Sequence, residues 1–86
     1  MNNVSAANLT VIARAPFHIY YEGPADVVTA SNRIGTFDIL PGHADFFSML
    51  KEGPVTITTD KEEISFTITN GIITVRDNHA LLFVNM

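Results

Sequence analysis

The segment Ile64-Ser65-Phe66-Thr67-Ile68-Thr69 decides the fold. Its apolar and hydroxyl side chains alternate strictly. Successive side chains of an extended chain point to opposite faces, so the segment reads as a strand with one buried face and one wetted face. Antiparallel sheets are built from such strands. Working outward, the same period runs through Val55, Ile57 and Thr59 and through Leu9, Val11 and Ala13. Composition agrees: 7 Val, 9 Ile and 9 Thr stand against 8 Ala and 5 Leu. Branched side chains pack well on a pleated surface and lose rotamers in a helix. The one segment that reads as a helical turn, Ala44 to Leu50, is too short to count.

Turn chemistry separates the runs. Leu40-Pro41-Gly42-His43 suits a type II turn, with Pro41 fixing φ and Gly42 accepting a positive φ. Asn70-Gly71 is a strong hairpin signal, and Asp77-Asn78 reads as a second two-residue hairpin. Asp60-Lys61-Glu62 is a charged connection, while Gly23-Pro24 and Gly53-Pro54 punctuate the first half and the middle. About eight to ten short antiparallel strands result, at the spacing of a sandwich or small barrel. We expect an all-β fold of two sheets.

Length and charge narrow what such a domain can do. At 86 residues the chain is one domain, and 47% hydrophobic residues supply a core without any cysteine. The net charge of −4 offers no general basic surface, and no nucleic acid partner is expected. The longest apolar stretch, Ala80 to Val84, is far short of the ~18 residues of a spanning helix. The start Met-Asn-Asn-Val-Ser lacks the basic and apolar blocks of a signal peptide, so cytosolic residence is expected.

Catalytic chemistry finds no constellation. His43 and Asp45 would share one face of a strand, but no H-E-x-x-H or related spacing accompanies them, and no metal site is expected. Asp38 falls opposite Phe37 and Ile39, a solvent-facing position. Ser31, Ser48 and Ser65 lack a nucleophile elbow, and no phosphate-cradling glycine loop occurs. No catalytic residue and no cofactor are expected. Tyr20-Tyr21 and Phe46-Phe47 remain: on strands, each pair gives one side chain to the core and the other to the opposite face, as an interface anchor or as packing. The residues themselves point to a small acidic binding or assembly module.

Gly35-Thr36-Phe37-Asp38-Ile39-Leu40-Pro41-Gly42-His43-Ala44 resembles the G-E-F-G-I-L-P-G-H-A signature of the epsilon subunit of F-type ATP synthases. Flanking landmarks follow in order: Leu9 to Ile12, Tyr21-Glu22-Gly23, Val28 to Ala30, Leu50 with Gly53, and Asn70 to Val75. The resemblance covers residues 9–86 and implies the family's flattened β-sandwich, with residues 1–8 as a flexible extension. It implies a non-catalytic rotor part of a proton-translocating synthase, coupling the c-ring to the gamma subunit on the cytoplasmic face of a bacterial plasma membrane. Membrane association would come only through the complex. By the same resemblance, Ser31, Asn32, Arg33, Ile34, Gly35 and Thr36 would face the c-ring. His43, Phe46, Phe47 and Ser48 would lie towards gamma, and Pro41, Gly42, Asn70 and Gly71 would form structural turns. The family's C-terminal helical hairpin has no counterpart up to Met86, so neither ATP binding nor hairpin inhibition is expected of these residues.

Overall fold

The alternating segments pair into two sheets in the computed structural model, which describes residues 8–86. The expected extension over residues 1–8 lies, Asn8 apart, outside the described residues. Nine strands follow in order: β1 (Leu9–Ala15), β2 (His18–Ala25), β3 (Val27–Ser31), β4 (Thr36–Ile39), β5 (Phe46–Leu50), β6 (Gly53–Thr58), β7 (Glu63–Ile68), β8 (Asn70–Arg76) and β9 (His79–Asn85). One sheet has the order β2-β1-β9-β8-β5 and the other β4-β3-β6-β7. The segment with a helical reading is strand β5, in which Phe46, Ser48 and Leu50 share one side.

Inner faces meet as the alternation requires. Leu9, Val11, Ile73 and Leu82 of the larger sheet, and Val28 and Ile57 of the smaller, are fully buried. Each such side chain contributes about 1.5–3 kcal/mol by leaving water. Among the described residues no polar or charged side chain is buried, so the core carries no desolvation penalty. Aromatic pairs close both sides of the sandwich. Tyr20 of β2 stacks on Phe66 of β7 at 5.3 Å between ring centroids. Phe37 of β4 meets Phe46 of β5 edge-on, also at 5.3 Å. Each pair ties an outermost strand of one sheet to its counterpart in the other.

Three expectations need correction. The strands are not all antiparallel: β1 runs parallel to β9, with Val11 opposite Ala80 and Ala13 opposite Leu82. The hairpin with β8 fixes the direction of β9, and the whole chain between β1 and β9 is long enough for a parallel return. Second, Asn70-Gly71 is no hairpin turn. Strand β7 ends in the four-stranded sheet and β8 begins in the other, so the chain turns a corner between sheets. Neither residue has the positive φ that a type I′ turn demands. Glycine is required at 71 for another reason: a Cβ there would sit 2.6 Å from the Phe83 carbonyl oxygen. Third, Tyr20 and Tyr21 do not divide between core and solvent; both are half-buried against the core. The register shift opposite Ala13/Arg14 leaves Tyr20 as an extra residue, so a bulge breaks the alternation there.

Two turns match their sequence. At Leu40-Pro41-Gly42-His43 the His43 amide donates to the Leu40 carbonyl at 3.1 Å, and Gly42 has φ +84°. Asp77 and Asn78 take φ 50° and 61°, the type I′ geometry that closes β8 onto β9. The Asn78 carboxamide also accepts the Gly42 amide at 2.7 Å, joining the two turns at one end of the sandwich.

Candidate functional site

The opposite end carries the loop from Ser31 to Thr36, whose local structure follows from Asn32. Asparagine side chains readily bond the backbone two and three residues on. Here the Asn32 Oδ1 accepts the amides of Ile34 at 2.9 Å and Gly35 at 3.2 Å. Backbone bonds run both ways between Asn32 and Gly35, and the hydroxyls of Ser31 and Thr36 pair at 3.0 Å at the base. The Asn32 Nδ2 donates across to the Ser48 hydroxyl at 3.1 Å, and the Lys51 amide donates to the Ser31 carbonyl at 3.0 Å. The loop therefore belongs to one sheet by sequence and is fastened to β5 of the other. Arg33 is left exposed, and Ile34 is 97% exposed at the tip.

Strand β5 joins this end to the Pro-Gly turn. Its pleat puts Phe46 and Ser48 on the inner side and Phe47 and Met49 on the outer side. Phe46 packs on Phe37 and meets the His43 ring in a T-shaped arrangement, 5.4 Å between ring centroids. Of the four residues expected to face gamma, only Phe47 projects outward, at 63% exposure. His43 and Phe46 are half-buried and close the side of the sandwich, and Ser48 holds Asn32. Outside the strand, His43 and Asp45 do not share a strand face. Among the described residues no group of three or more His, Cys, Asp or Glu side chains could hold a metal ion.

Phe47 stands on a larger apolar surface. The registers place Met49, Ile72, Phe83, Arg14 and Ile19 in one row across the outer face of the five-stranded sheet. The adjacent row runs Phe47, Thr74, Leu81, Ile12 and Glu22. Met49 is 71% exposed, and Ile19, Leu81 and Phe83 are also exposed. Sequence reasoning did not single out Met49, Ile72, Leu81 or Phe83. The signal was the uninterrupted run Ala80 to Val84: a strand apolar at every position has two apolar faces, and only one can enter its own core. At the rim of this face Arg76 approaches Asp45 at 3.9 Å, a largely exposed pair that adds little.

Tyr21 lies at the far end, donating its hydroxyl to the Pro24 carbonyl. Desolvation, and then the charges of Glu62 and Asp60, raise its pKa above the ordinary phenol value. It touches neither the loop nor the apolar face.

Comparison with known proteins places this geometry in a family. Residues 4–85 match the family described as ATP synthase, Delta/Epsilon chain, beta-sandwich domain. The ATP synthase epsilon chain of Synechococcus elongatus is 33% identical over 78 residues, which are 91% of this chain and 57% of the relative. That of Chlorobium limicola is 37% identical over 68 residues, covering 78% of this chain and 77% of the relative. The chain thus spans little more than half the length of the Synechococcus relative. Among solved structures, a chain of the Euglena gracilis mitochondrial ATP synthase superposes with TM-score 0.86 at 16% identity, covering 99% of this chain and 54% of that one. A chain of the central stalk/c-ring structure of the Tetrahymena thermophila mitochondrial ATP synthase does so with TM-score 0.80 at 21% identity, covering 91% and 63%. These two likenesses bear on the fold alone. With a family match over nearly its whole length and relatives in two bacterial groups, the chain belongs to the ATP synthase delta/epsilon family and forms its β-sandwich domain.

Proposed function

We propose that this chain is a central-stalk rotor part of a proton-translocating ATP synthase, passing torque between the c-ring and the gamma subunit. It acts by contact and stiffness rather than by chemistry. The observation that carries the proposal is the apolar outer face of the five-stranded sheet, in a domain whose relatives are ATP synthase epsilon chains. Phe47, Met49, Ile72, Leu81 and Phe83 form a surface that water does not favour and that a second subunit would cover. We assign this face to gamma. His43 belongs to the proposal as the residue that props Phe46 at the same edge.

The 31–36 loop, at one end of the sandwich beside the Met49 edge of the apolar face, is assigned to the c-ring. Torque must cross the domain from that loop to the sheet face without being lost in local bending. A closely packed core under two hydrogen-bonded sheets resists such bending. No helix among the described residues is long and apolar enough to cross a membrane. The proposal places the protein peripherally, on the cytoplasmic face of a bacterial plasma membrane, held there by its partners.

Affinity capture of the tagged chain from detergent-solubilised membranes of its own organism tests this. Recovery of gamma, the catalytic subunits and the c-ring is the expected result. Recovery of the chain alone, or with unrelated soluble proteins, would leave family membership intact and reject the rotor role in favour of a stand-alone module.

A further inference from the structure

We infer that Asn32 is the positioning residue that turns the 31–36 loop into a preformed rigid peg, presenting Ile34 to an apolar socket rimmed by hydrogen-bond acceptors on the ring. The inference rests on the rotor role proposed above and specifies how its ring contact is made. Its basis is a convergence on a single side chain. Asn32 Oδ1 gathers the Ile34 and Gly35 amides, while its Nδ2 reaches Ser48 on the other sheet. Among the described residues, no other side chain of the loop bonds outside it. The carboxamide thus shapes the loop and also anchors it to β5, the strand that carries Phe47 and Met49.

The tip shows what the peg is for. A nearly fully exposed isoleucine at the end of a stapled loop gains nothing for the fold. Arg33 beside it supplies a cation with five donors and no acceptor. A partner surface that fits the pair is an apolar depression with carbonyl or carboxylate oxygens at its rim. Ile34 and Met49 also line one open cleft of about 450 Å³ with Asn32, Arg33 and Ser48 between them. The ring-facing tip and the gamma-facing sheet edge are therefore neighbours, joined through the Asn32–Ser48 bond. Fixing the loop before contact spares the entropy of ordering it during contact.

The test compares the 86-residue chain with Asn32→Ala, Ser48→Ala, Ser48→Thr and Ile34→Ser. Amide hydrogen exchange at Ile34 and re-binding to ATP synthase membranes stripped of this chain are measured for each. Asn32→Ala is expected to speed Ile34 exchange at least about ten-fold and to weaken re-binding by about ten-fold, with the thermal midpoint little changed. Ser48→Ala weakens re-binding less, because the Asn32–Ile34 bond survives. Ser48→Thr keeps the hydroxyl and restores it. Ile34→Ser weakens re-binding without changing the melting of the chain. Unchanged Ile34 exchange in Asn32→Ala, or faster exchange with unchanged re-binding, overturns the inference. A parent chain that fails to bind stripped membranes while its Ile34 amide stays protected overturns the rotor role itself, and the ring socket with it.

Discussion

The two outer faces of this sandwich share a fold and differ in chemistry. On the four-stranded sheet the outward row is Asp38, Thr29, Thr56 and Ser65, and these side chains satisfy one another. Thr29 donates to Asp38 at 2.7 Å, and the Thr56 and Ser65 hydroxyls pair at 3.2 Å. Such cross-strand pairs contribute only a few tenths of a kcal/mol to about 1 kcal/mol each, but they need nothing further from outside. On the five-stranded sheet the equivalent rows hold Met49, Ile72 and Phe83 beside Phe47 and Leu81, and among the described residues Phe47, Met49, Leu81 and Phe83 stay exposed. The inner faces of both sheets obey one rule, so folding alone does not account for the difference. A face that could have been wetted as easily as its counterpart, and was not, is the ground on which we propose that a partner covers it.

The comparison can be broken first at the apolar face. The double substitution Leu81→Asp with Phe83→Asp is expected to abolish capture of gamma, whereas Thr56→Asp on the other face leaves capture intact. Equal loss from both would erase the distinction between the faces. Next comes the aromatic closure of the sides. Phe37→Ala should cost about 2–4 kcal/mol in urea unfolding, towards the low end for a core aromatic because Phe37 is only half-buried. A near-neutral change would mean that the Phe37–Phe46 pair does not hold the sheets together. Gly71→Ala forces a methyl group against the Phe83 carbonyl and should cost about 1–3 kcal/mol. An unperturbed melting curve would show that the corner between β7 and β8 can relax away from β9.

The smallest effect concerns pH. Tyr21 has a raised pKa, from desolvation first and then from Glu62 and Asp60. The folded state therefore holds the phenol proton more tightly than the unfolded state does. Stability from this group is complete below the ordinary phenol pKa near 10 and is lost as pH rises through the folded value. Tyr21→Phe should make the alkaline decline shallower, and an identical decline would remove Tyr21 as its source.

Strands and turns were legible where local physics decides them. The Ile64–Thr69 alternation became β7, and Pro41-Gly42 and Asp77-Asn78 became turns because their backbone angles favour those residues. Asn70-Gly71 misled because a glycine selected for close approach to Phe83 looks the same in sequence as one selected for a positive φ. The bulge at Tyr20 and the parallel β1–β9 pair depend on partners far along the chain, which local periodicity does not report. The site divides in the same way. The resemblance marked the 31–36 loop and β5, yet not which β5 side chains turn outward, and Met49, Ile72, Leu81 and Phe83 become one surface only when three strands are set in register. Asn32 was on the loop, but its tie to Ser48 crosses between sheets and leaves no local signature.

The absence of cysteine permits a direct measurement. Single substitutions Phe47→Cys on the five-stranded face and Ser65→Cys on the four-stranded face each introduce one thiol into this chain. A water-soluble maleimide is then applied to the free chain and to the purified ATP synthase containing it. We expect both thiols to react in the free chain, and in the complex the thiol at 47 to be shielded while that at 65 reacts as before. Equal reactivity of the two positions within the complex would contradict the assignment of the apolar face to a partner.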